Sequence, residues 1–487
     1  MTPYSISLHH FIELLGEWRS DASSDYAALA ERIRLLTIDG RIKAGMRLPS
    51  ERQLADHLGI SRTTVNSALE ELRQTGYAHS RHGSGTIVTI PGRTGDLPIP
   101  QSGDLLDLSR ATSPASPGVH AAAERALRRL PAKLATDGYE LFGLPSLREA
   151  LAEKYSARGV PTTPDQILVT NGAAGAISLI ARTLVYVGDR VVVETPGYPH
   201  SNEAFRAAGA RLVPTIVDGD DGWDVTNFTQ TVARSLPTLA YLMPDFHNPT
   251  SRSMSLAARE LIVHAAHSHG TLIISDETTA DLDIDRNVEL APLAAFDESG
   301  ETVISVGSAS KTIWGGLRVG WIRASEHFIN RLHAARFSYD LGVGVLDQLT
   351  VSEMLEHLPA VLDHRRAIHR DSREALRASL QQHLPESRLH HVAGGVAAWI
   401  DLDAPVSSAL TIAARARGLL IGAGPWFGLH GEFERNIRIP ITASPDDIGR
   451  AIDILGVARH DLPPRQLARQ ILRTEGALPT VKGPRYR

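Results

Sequence analysis

The chain has no cysteine. That excludes disulfides, thiolate metal sites and cysteine nucleophiles, and it suits a reducing cytoplasm. It also lacks any apolar run long enough to span a bilayer. Its start, Met1-Thr-Pro-Tyr-Ser5, has no basic region followed by an apolar core, so neither membrane insertion nor export is expected. An excess of positive charge is missing too. The formal net charge is −5, so any nucleic-acid surface has to be local. Internal repeats and long low-complexity tracts are absent. What remains is 487 residues, 43% of them hydrophobic, enough for two or three domains with large buried cores.

The most informative stretch runs from Ser308 through Lys311 to Arg318. An apolar run, Val303-Ile-Ser-Val-Gly307, delivers a lysine flanked by hydroxyls, and an arginine follows two glycines later. A lysine at the mouth of a buried strand loses its charge by desolvation and can attack a carbonyl as a free amine. A second apolar run, Ile273-Ile-Ser-Asp276, ends on a carboxylate suited to pair with a protonated pyridine nitrogen. A Schiff-base lysine with an acidic partner for a ring nitrogen is the signature of pyridoxal 5′-phosphate (PLP) chemistry. No metal is expected.

Composition divides the chain. Residues 1–22 form a helical extension, with Phe11, Ile12, Leu14, Leu15 and Trp18 at roughly helical spacing. Residues 23–90 alternate helical patterns with polar turns, and residues 91–104 read as a linker because proline and glycine oppose both helix and ladder. From 105 to 458, short apolar strands such as Val191-Val-Val193, Leu239–Leu242 and Leu272–Ile274 alternate with amphipathic helices, as in a parallel sheet covered on both faces. Residues 459–487 form a basic tail rich in arginine and proline.

The segment Pro49 to Leu69 has helix-turn-helix spacing. Ser50 and Ser61 are placed to cap two helices, Ala55 is small where they approach, Gly59 permits the turn, and Val65 packs the second helix back. Arg62, Thr63, Thr64 and Asn66 lie on the early turns of that second helix, where side chains enter a major groove. Arg81-His-Gly-Ser-Gly85 reads as the tip of a wing. Over Tyr26–Val88 this pattern resembles the winged helix-turn-helix of the GntR family of bacterial regulators. The resemblance implies that Arg52 and Arg62 contact double-stranded DNA, with Arg47 and Arg81 in support.

From about residue 105 the chain resembles a fold-type I PLP enzyme of the aminotransferase class. The whole is then multidomain: an α+β winged helix-turn-helix joined to a large α/β PLP-dependent transferase fold. The resemblance implies a phosphate cup at Gly172, Ala173 and Ala174, a ring stacked on Tyr198, and Asn248 donating to the cofactor's phenolic oxygen. It further implies Asp276 on the pyridine nitrogen, Lys311 as the Schiff-base lysine, Ser308 and Arg318 on the phosphate, and Arg438 on an amino acid's α-carboxylate. Tyr139 would reach a partner subunit's phosphate, making the active unit a homodimer. Two positions depart from the family pattern: Ser251 replaces the glycine after Asn248-Pro-Thr250, and Thr278 and Thr279 stand where relatives carry a tyrosine.

A GntR-type reader joined to an aminotransferase-like domain is the architecture of the MocR regulators. That resemblance implies a cytoplasmic transcription factor whose large domain senses PLP or a PLP–amino-acid adduct. Two alternatives stay open on the residues: an active aminotransferase carrying a DNA module, since Lys311, Asp276, Asn248, Arg318 and Arg438 are all present, and a dimerisation scaffold without a cofactor.

Overall fold

The computed structural model describes residues 5–89 and 105–462, apart from 17, 20–23, 39–40, 43–44, 76, 82–84, 219–221 and 287–289. The linker of residues 91–104, the wing tip and most of the basic tail lie outside the described residues.

The amino-terminal module packs four helices, α1 (Leu8–Leu15), α2 (Asp25–Ile38), α3 (Glu51–Leu58) and α4 (Arg62–Gln74), against a hairpin of β1 (Ala78–Arg81) and β2 (Gly85–Val88). Capping chemistry sets the helix-turn-helix. The Ser50 hydroxyl accepts from the Gln53 amide, and Gln53 returns the bond to the Ser50 amide. Gly59 turns left-handed at φ 64°, and the Ser61 hydroxyl accepts from the Thr64 amide at 3.0 Å. Helix α1 is too short to hold itself in water. It is fixed because Phe11 and Leu15 are fully buried among Leu29, Ile33 and Leu69, each burial contributing roughly 1.5–3 kcal/mol. Arg32 also donates to the Leu15 carbonyl at 2.9 Å. The opening segment is thus part of the reader's core.

The large module opens with β3 (Leu106–Asp107), α5 (Val119–Arg129) and α6 (Pro145–Ala157). Its main sheet comprises β4 (Ile167–Asn171), β5 (Arg190–Thr195), β6 (Arg211–Asp218), β7 (Gly222–Trp223), β8 (Leu239–Leu242), β9 (Leu272–Asp276), β10 (Val303–Ser308) and β11 (Val319–Arg323). The spatial order is β4-β11-β10-β9-β8-β5-β6-β7. All run parallel except β11 and β7, which are antiparallel to their neighbours. Both faces are covered: Val192, Ala240, Leu242 and Ile273 point to one core, and Val191, Val193, Leu239, Tyr241 and Ile274 to another. This is why the strands read as apolar throughout rather than alternating. Helix α7 (Gly172–Leu184) follows β4 directly.

A smaller sheet, β12 (Arg388–Leu389), β13 (Ala397–Asp401), β15 (Gly422–Ala423) and β16 (Asn436–Pro440), is ordered β12-β13-β16-β15 and packs on helices Leu358–His383 and Pro445–His460. Beside it, β14 (Leu419–Leu420) pairs in parallel with β3, so the first residues after the linker are anchored to the carboxy-terminal subdomain.

Candidate functional site

Parallel strands place their carboxyl ends along one edge, and there β9 delivers Asp276 and β10 leads into Lys311. A cavity of about 410 Å³ opens at this edge. Its walls bring together Ala173, Ala174, Tyr198, Asn248, Asp276, Lys311 and Arg318, residues far apart in sequence.

Lys311 is held near 8 by burial, reinforced by the positive charges of Arg438 and Arg318 and opposed by Asp276. A neutral amine is therefore accessible close to neutral pH. Its Nζ donates to the Ala111 carbonyl at 2.7 Å. Asp276 is also buried, which raises its carboxyl above the usual range. Three donors oppose that rise: the Thr278 hydroxyl at 2.6 Å, the Thr278 amide at 3.0 Å and the Tyr241 hydroxyl at 2.5 Å. Tyr241 itself is held protonated by burial and by the Asp276 charge. The arrangement is a carboxylate aimed into the cavity by its neighbours.

The cup at the start of α7 depends on close approach. A Cβ on Gly172, at φ 71°, would come within 2.8 Å of the Arg318 guanidinium. One on Gly320 of β11 would lie 2.5 Å from the Gly172 backbone. With both bare, the Ala173 and Ala174 end of the helix and Arg318 face the same space. No side chain caps α7, so its first amides stay available to an anion.

Arg438 sits on β16, 4% exposed, with its guanidinium 5.1 Å from the Phe427 ring centroid. Burial lowers it to about 10. Its Nη2 donates to the Ser109 carbonyl, while its Nε has no partner among the described residues. Asn248 Oδ1 is likewise buried without a partner; with the side-chain amide turned over, its NH2 takes that place and can donate to a phenolic oxygen. Such polar atoms are costly unless a ligand meets them. Together with the depressed lysine, the paired aspartate and the open cup, they suit PLP and a carboxylate.

One expectation from sequence needs adjustment, and the positions that depart from the family pattern find partners of their own. Ser308 does not line the cavity; its hydroxyl turns to Ser310, at 2.9 Å, and to the Val319 carbonyl, and Ser310 forms the wall instead. Ser251 keeps the left-handed turn of a glycine, φ 59°, a conformation costing roughly 1–2 kcal/mol. Its hydroxyl is used to bond the Ala397 carbonyl. Thr279, beside Thr278, donates to the Asp245 carbonyl at 2.8 Å, so both hydroxyls that replace the familial tyrosine have partners. Tyr139 lies outside the cavity and is 59% exposed.

Sequence reasoning missed Tyr241. It also missed a buried cluster behind Asn248, in which Glu194 accepts from Trp223 Nε1 at 2.7 Å and from the Met243 amide, with His247 Nε2 at 3.3 Å. Only strand register brings out Tyr241. In strands of period two, Tyr241 and Ile274 fall on one face in register, and Asp276 is two residues along that face.

On the other module, Arg52, Arg62, Thr63 and Asn66 are exposed along the start of α3 and α4, and Arg47 is exposed beside the hairpin. Thr64 is half-buried, with its hydroxyl 2.8 Å from that of Ser61. The Asn66 amide oxygen accepts from Arg73 at 3.2 Å. The side chain of Arg81 lies outside the described residues.

Fold and cavity define a transferase-type α/β domain attached to a winged helix-turn-helix. Comparison agrees: residues 103–455 match the aminotransferase class I and II model, and residues 25–88 match that of bacterial regulatory proteins of the gntR family. The chain belongs to the aminotransferase class I and II family and, with its GntR reader, is a MocR-type regulator. It is 29% identical to the uncharacterized HTH-type transcriptional regulator YdfD of Bacillus subtilis, over 88% of this chain and 94% of that one. It is 31% identical to the probable rhizopine catabolism regulatory protein MocR of Rhizobium meliloti, over 60% and 64%. The crystal structure of LysN, the α-aminoadipate aminotransferase of Thermus thermophilus, complexed with N-(5′-phosphopyridoxyl)-L-leucine, superposes with a TM-score of 0.67 at 25% identity. It covers 73% of this chain and 92% of that one.

Proposed function

We propose that the amino-terminal module of this regulator binds operator DNA while the large domain holds PLP at Lys311 and senses PLP or a PLP–amino-acid adduct. The observation that carries the reading is a lysine brought near 8 beside a buried, donor-clamped aspartate, on the same chain as a DNA reader. Bound PLP would supply an aldehyde and an electron-withdrawing ring. The residues divide the remaining work. Ala173, Ala174 and Arg318 hold its phosphate, Arg318 as a two-pronged donor. Tyr198 stacks on the ring, Asp276 keeps the ring nitrogen protonated, Asn248 meets the phenolic oxygen, and Arg438 takes an effector's carboxylate.

The working unit is proposed to be a homodimer in the cytoplasm. Leu127, Leu134, Phe337 and Leu341 are each large apolar side chains left at the surface, and Tyr139 is exposed as well. Among the described residues no helix is long and apolar enough to cross a membrane. On the DNA side, Arg47, Arg52, Arg62 and Arg81 would meet phosphates, and Thr63, Thr64 and Asn66 would favour particular bases.

A second reading, transamination by the same site, is favoured by the joint presence of Lys311, Asp276 and Asn248 in one cavity with Arg438 close by. Multiple turnovers with an amino acid and a keto acid would support it; binding without turnover supports the sensor. The deciding test of the main reading is electrophoretic retardation of the DNA upstream of the protein's own gene, with and without PLP and a panel of amino acids. Retardation that responds to PLP is the expected result. No retardation at moderate salt under any condition removes the regulator reading.

A further inference from the structure

Residues 106–116 run past the cavity as a strap fastened at both ends, with Thr112 and Ser113 in its wall. At one end, the amides of Leu106 and Leu108 donate to the carbonyls of Gly418 and Leu420, both at 2.8 Å. At the other, the Ser116 amide donates to the Ile313 carbonyl at 2.9 Å and the Ser116 hydroxyl to the Thr312 carbonyl at 2.7 Å, just past Lys311. Arg365 ties the Pro114 carbonyl to the same turn. Between these anchors, the Ser109 carbonyl accepts from Arg438, the Ala111 carbonyl accepts from Lys311, and Thr112 and Ser113 line the cavity. Asp107 braces the middle, its Oδ1 accepting from the Ser109 amide at 2.9 Å and the Ser109 hydroxyl at 2.5 Å.

Both donors held by the strap are ones a PLP–amino-acid ligand needs. A carboxylate on Arg438 brings an opposite charge and a second acceptor oxygen where Ser109 offers one neutral carbonyl, so it outcompetes Ser109. A carbonyl compound that condenses with the Lys311 amine, forming C=N and releasing water, takes both amine hydrogens away from Ala111. We propose that Ser109–Ser113 is a displaceable strap: its backbone carbonyls hold Arg438 and Lys311 until ligand takes them. Its release would let the carboxy-terminal subdomain, to which Leu106 and Leu108 stay pinned, shift and carry with it residue 105, where the connection to the DNA reader begins. The inference rests on the reading of the cavity as a PLP site and adds how its occupancy reaches the other module.

Because the chain lacks cysteine, one substitution places a single label. Arg110→Cys, at an exposed strap position, carries an environment-sensitive thiol dye on the full-length protein. N-(5′-phosphopyridoxyl)-L-leucine, which combines phosphate, ring and carboxylate in one stable molecule, probes the Ser109 hold, and PLP, whose aldehyde condenses with Lys311, probes the Ala111 hold; the binding of each is measured separately by calorimetry. The dye signal is expected to saturate with the calorimetric Kd of each probe, and amide exchange over residues 109–113 to speed up. Asp107→Ala, which removes only the exposed brace, is expected to tighten probe binding about two- to fivefold. It should also shrink the probes' effect on DNA affinity, because part of the strap is already free. A merely structural role would weaken probe binding instead. Calorimetric binding with an unchanged dye and unchanged exchange, or weaker binding by Asp107→Ala, overturns the strap and leaves the PLP reading intact. No calorimetric binding at all overturns both.

Discussion

Helices α4 and α7 both begin at the protein's two working surfaces, yet they treat their first amides in opposite ways. In α4 the Ser61 hydroxyl takes up the Thr64 amide, so the helix end is satisfied from within and offers side chains outward. In α7 no side chain caps the end; Gly172, Ala173 and Ala174 have no hydrogen-bonding side chains, and Asn171 turns its side-chain amide to Asp340 at 2.9 Å. One start is built to read with arginine, threonine and asparagine, the other to receive an anion on backbone N–H groups. The same local geometry serves recognition or binding according to who supplies the missing acceptor.

The largest effect expected is on the receiving side. Lys311→Ala should abolish the yellow colour and borohydride labelling of the PLP-loaded protein and lower PLP affinity about a hundredfold or more, equivalent to ~3 kcal/mol. The thermal stability of the DNA reader should not change. Retained labelling would place the linkage elsewhere.

The contrast between the two helix starts is sharpened by a pair of substitutions. Ala174→Asp puts a carboxylate into the first turn of α7, where it favours the helix dipole by about 0.3–1 kcal/mol but repels phosphate. Calorimetry should then show PLP affinity falling about tenfold or more with no loss of stability. Ser61→Ala should do the reverse, costing about 0.5–2 kcal/mol in chemical denaturation of the reader and leaving PLP affinity unchanged. If Ala174→Asp binds PLP normally, the cup assignment fails.

pH separates the modules as well. With Lys311 at about 8, the neutral amine grows roughly tenfold per pH unit below that value and levels off above it, so the rate of PLP uptake should follow the same curve. The sign for stability follows from the lowered value. Between about 8 and the ordinary 10.5, the unfolded chain holds a proton that the folded chain has released, so this group's contribution to stability rises with pH across that window. Stopped-flow absorbance at several pH values checks the uptake curve; a flat profile from 6 to 9 contradicts a desolvated lysine.

The smallest effect concerns Tyr241→Phe. Losing one donor to Asp276 should raise that carboxyl further and weaken PLP by about three- to tenfold, the worth of a single buried hydrogen bond. An unchanged affinity would mean that Thr278 alone suffices to aim the carboxylate.

Much of this was readable in the sequence because it is local. Ser50, Gly59, Ser61 and Val65 act within a few residues of one another, and Asp276 and Lys311 are announced by the apolar strands that end on them or just before. The remainder depended on contacts that no local pattern encodes. Ala111 is 200 residues from Lys311 and Ser109 is 329 from Arg438, so the strap is invisible until β3 is seen pairing with β14. Tyr241 needed the neighbour order of β8 and β9. The exchange of Ser308 for Ser310 at the wall turns on which of two nearby hydroxyls faces inward. Helix α1 showed its apolar spacing, but only the buried contacts of Phe11 and Leu15 reveal that it completes the reader.

The central claim is that occupancy at Lys311 changes how the reader holds DNA. The most direct measurement titrates the full-length protein against DNA from upstream of its own gene, comparing the wild type with Lys311→Ala, each with and without PLP. The account predicts that PLP shifts the wild-type affinity several-fold and leaves the variant where it was, with both proteins still binding DNA. Equal responses in the two, or none in the wild type despite complete borohydride labelling, would contradict it.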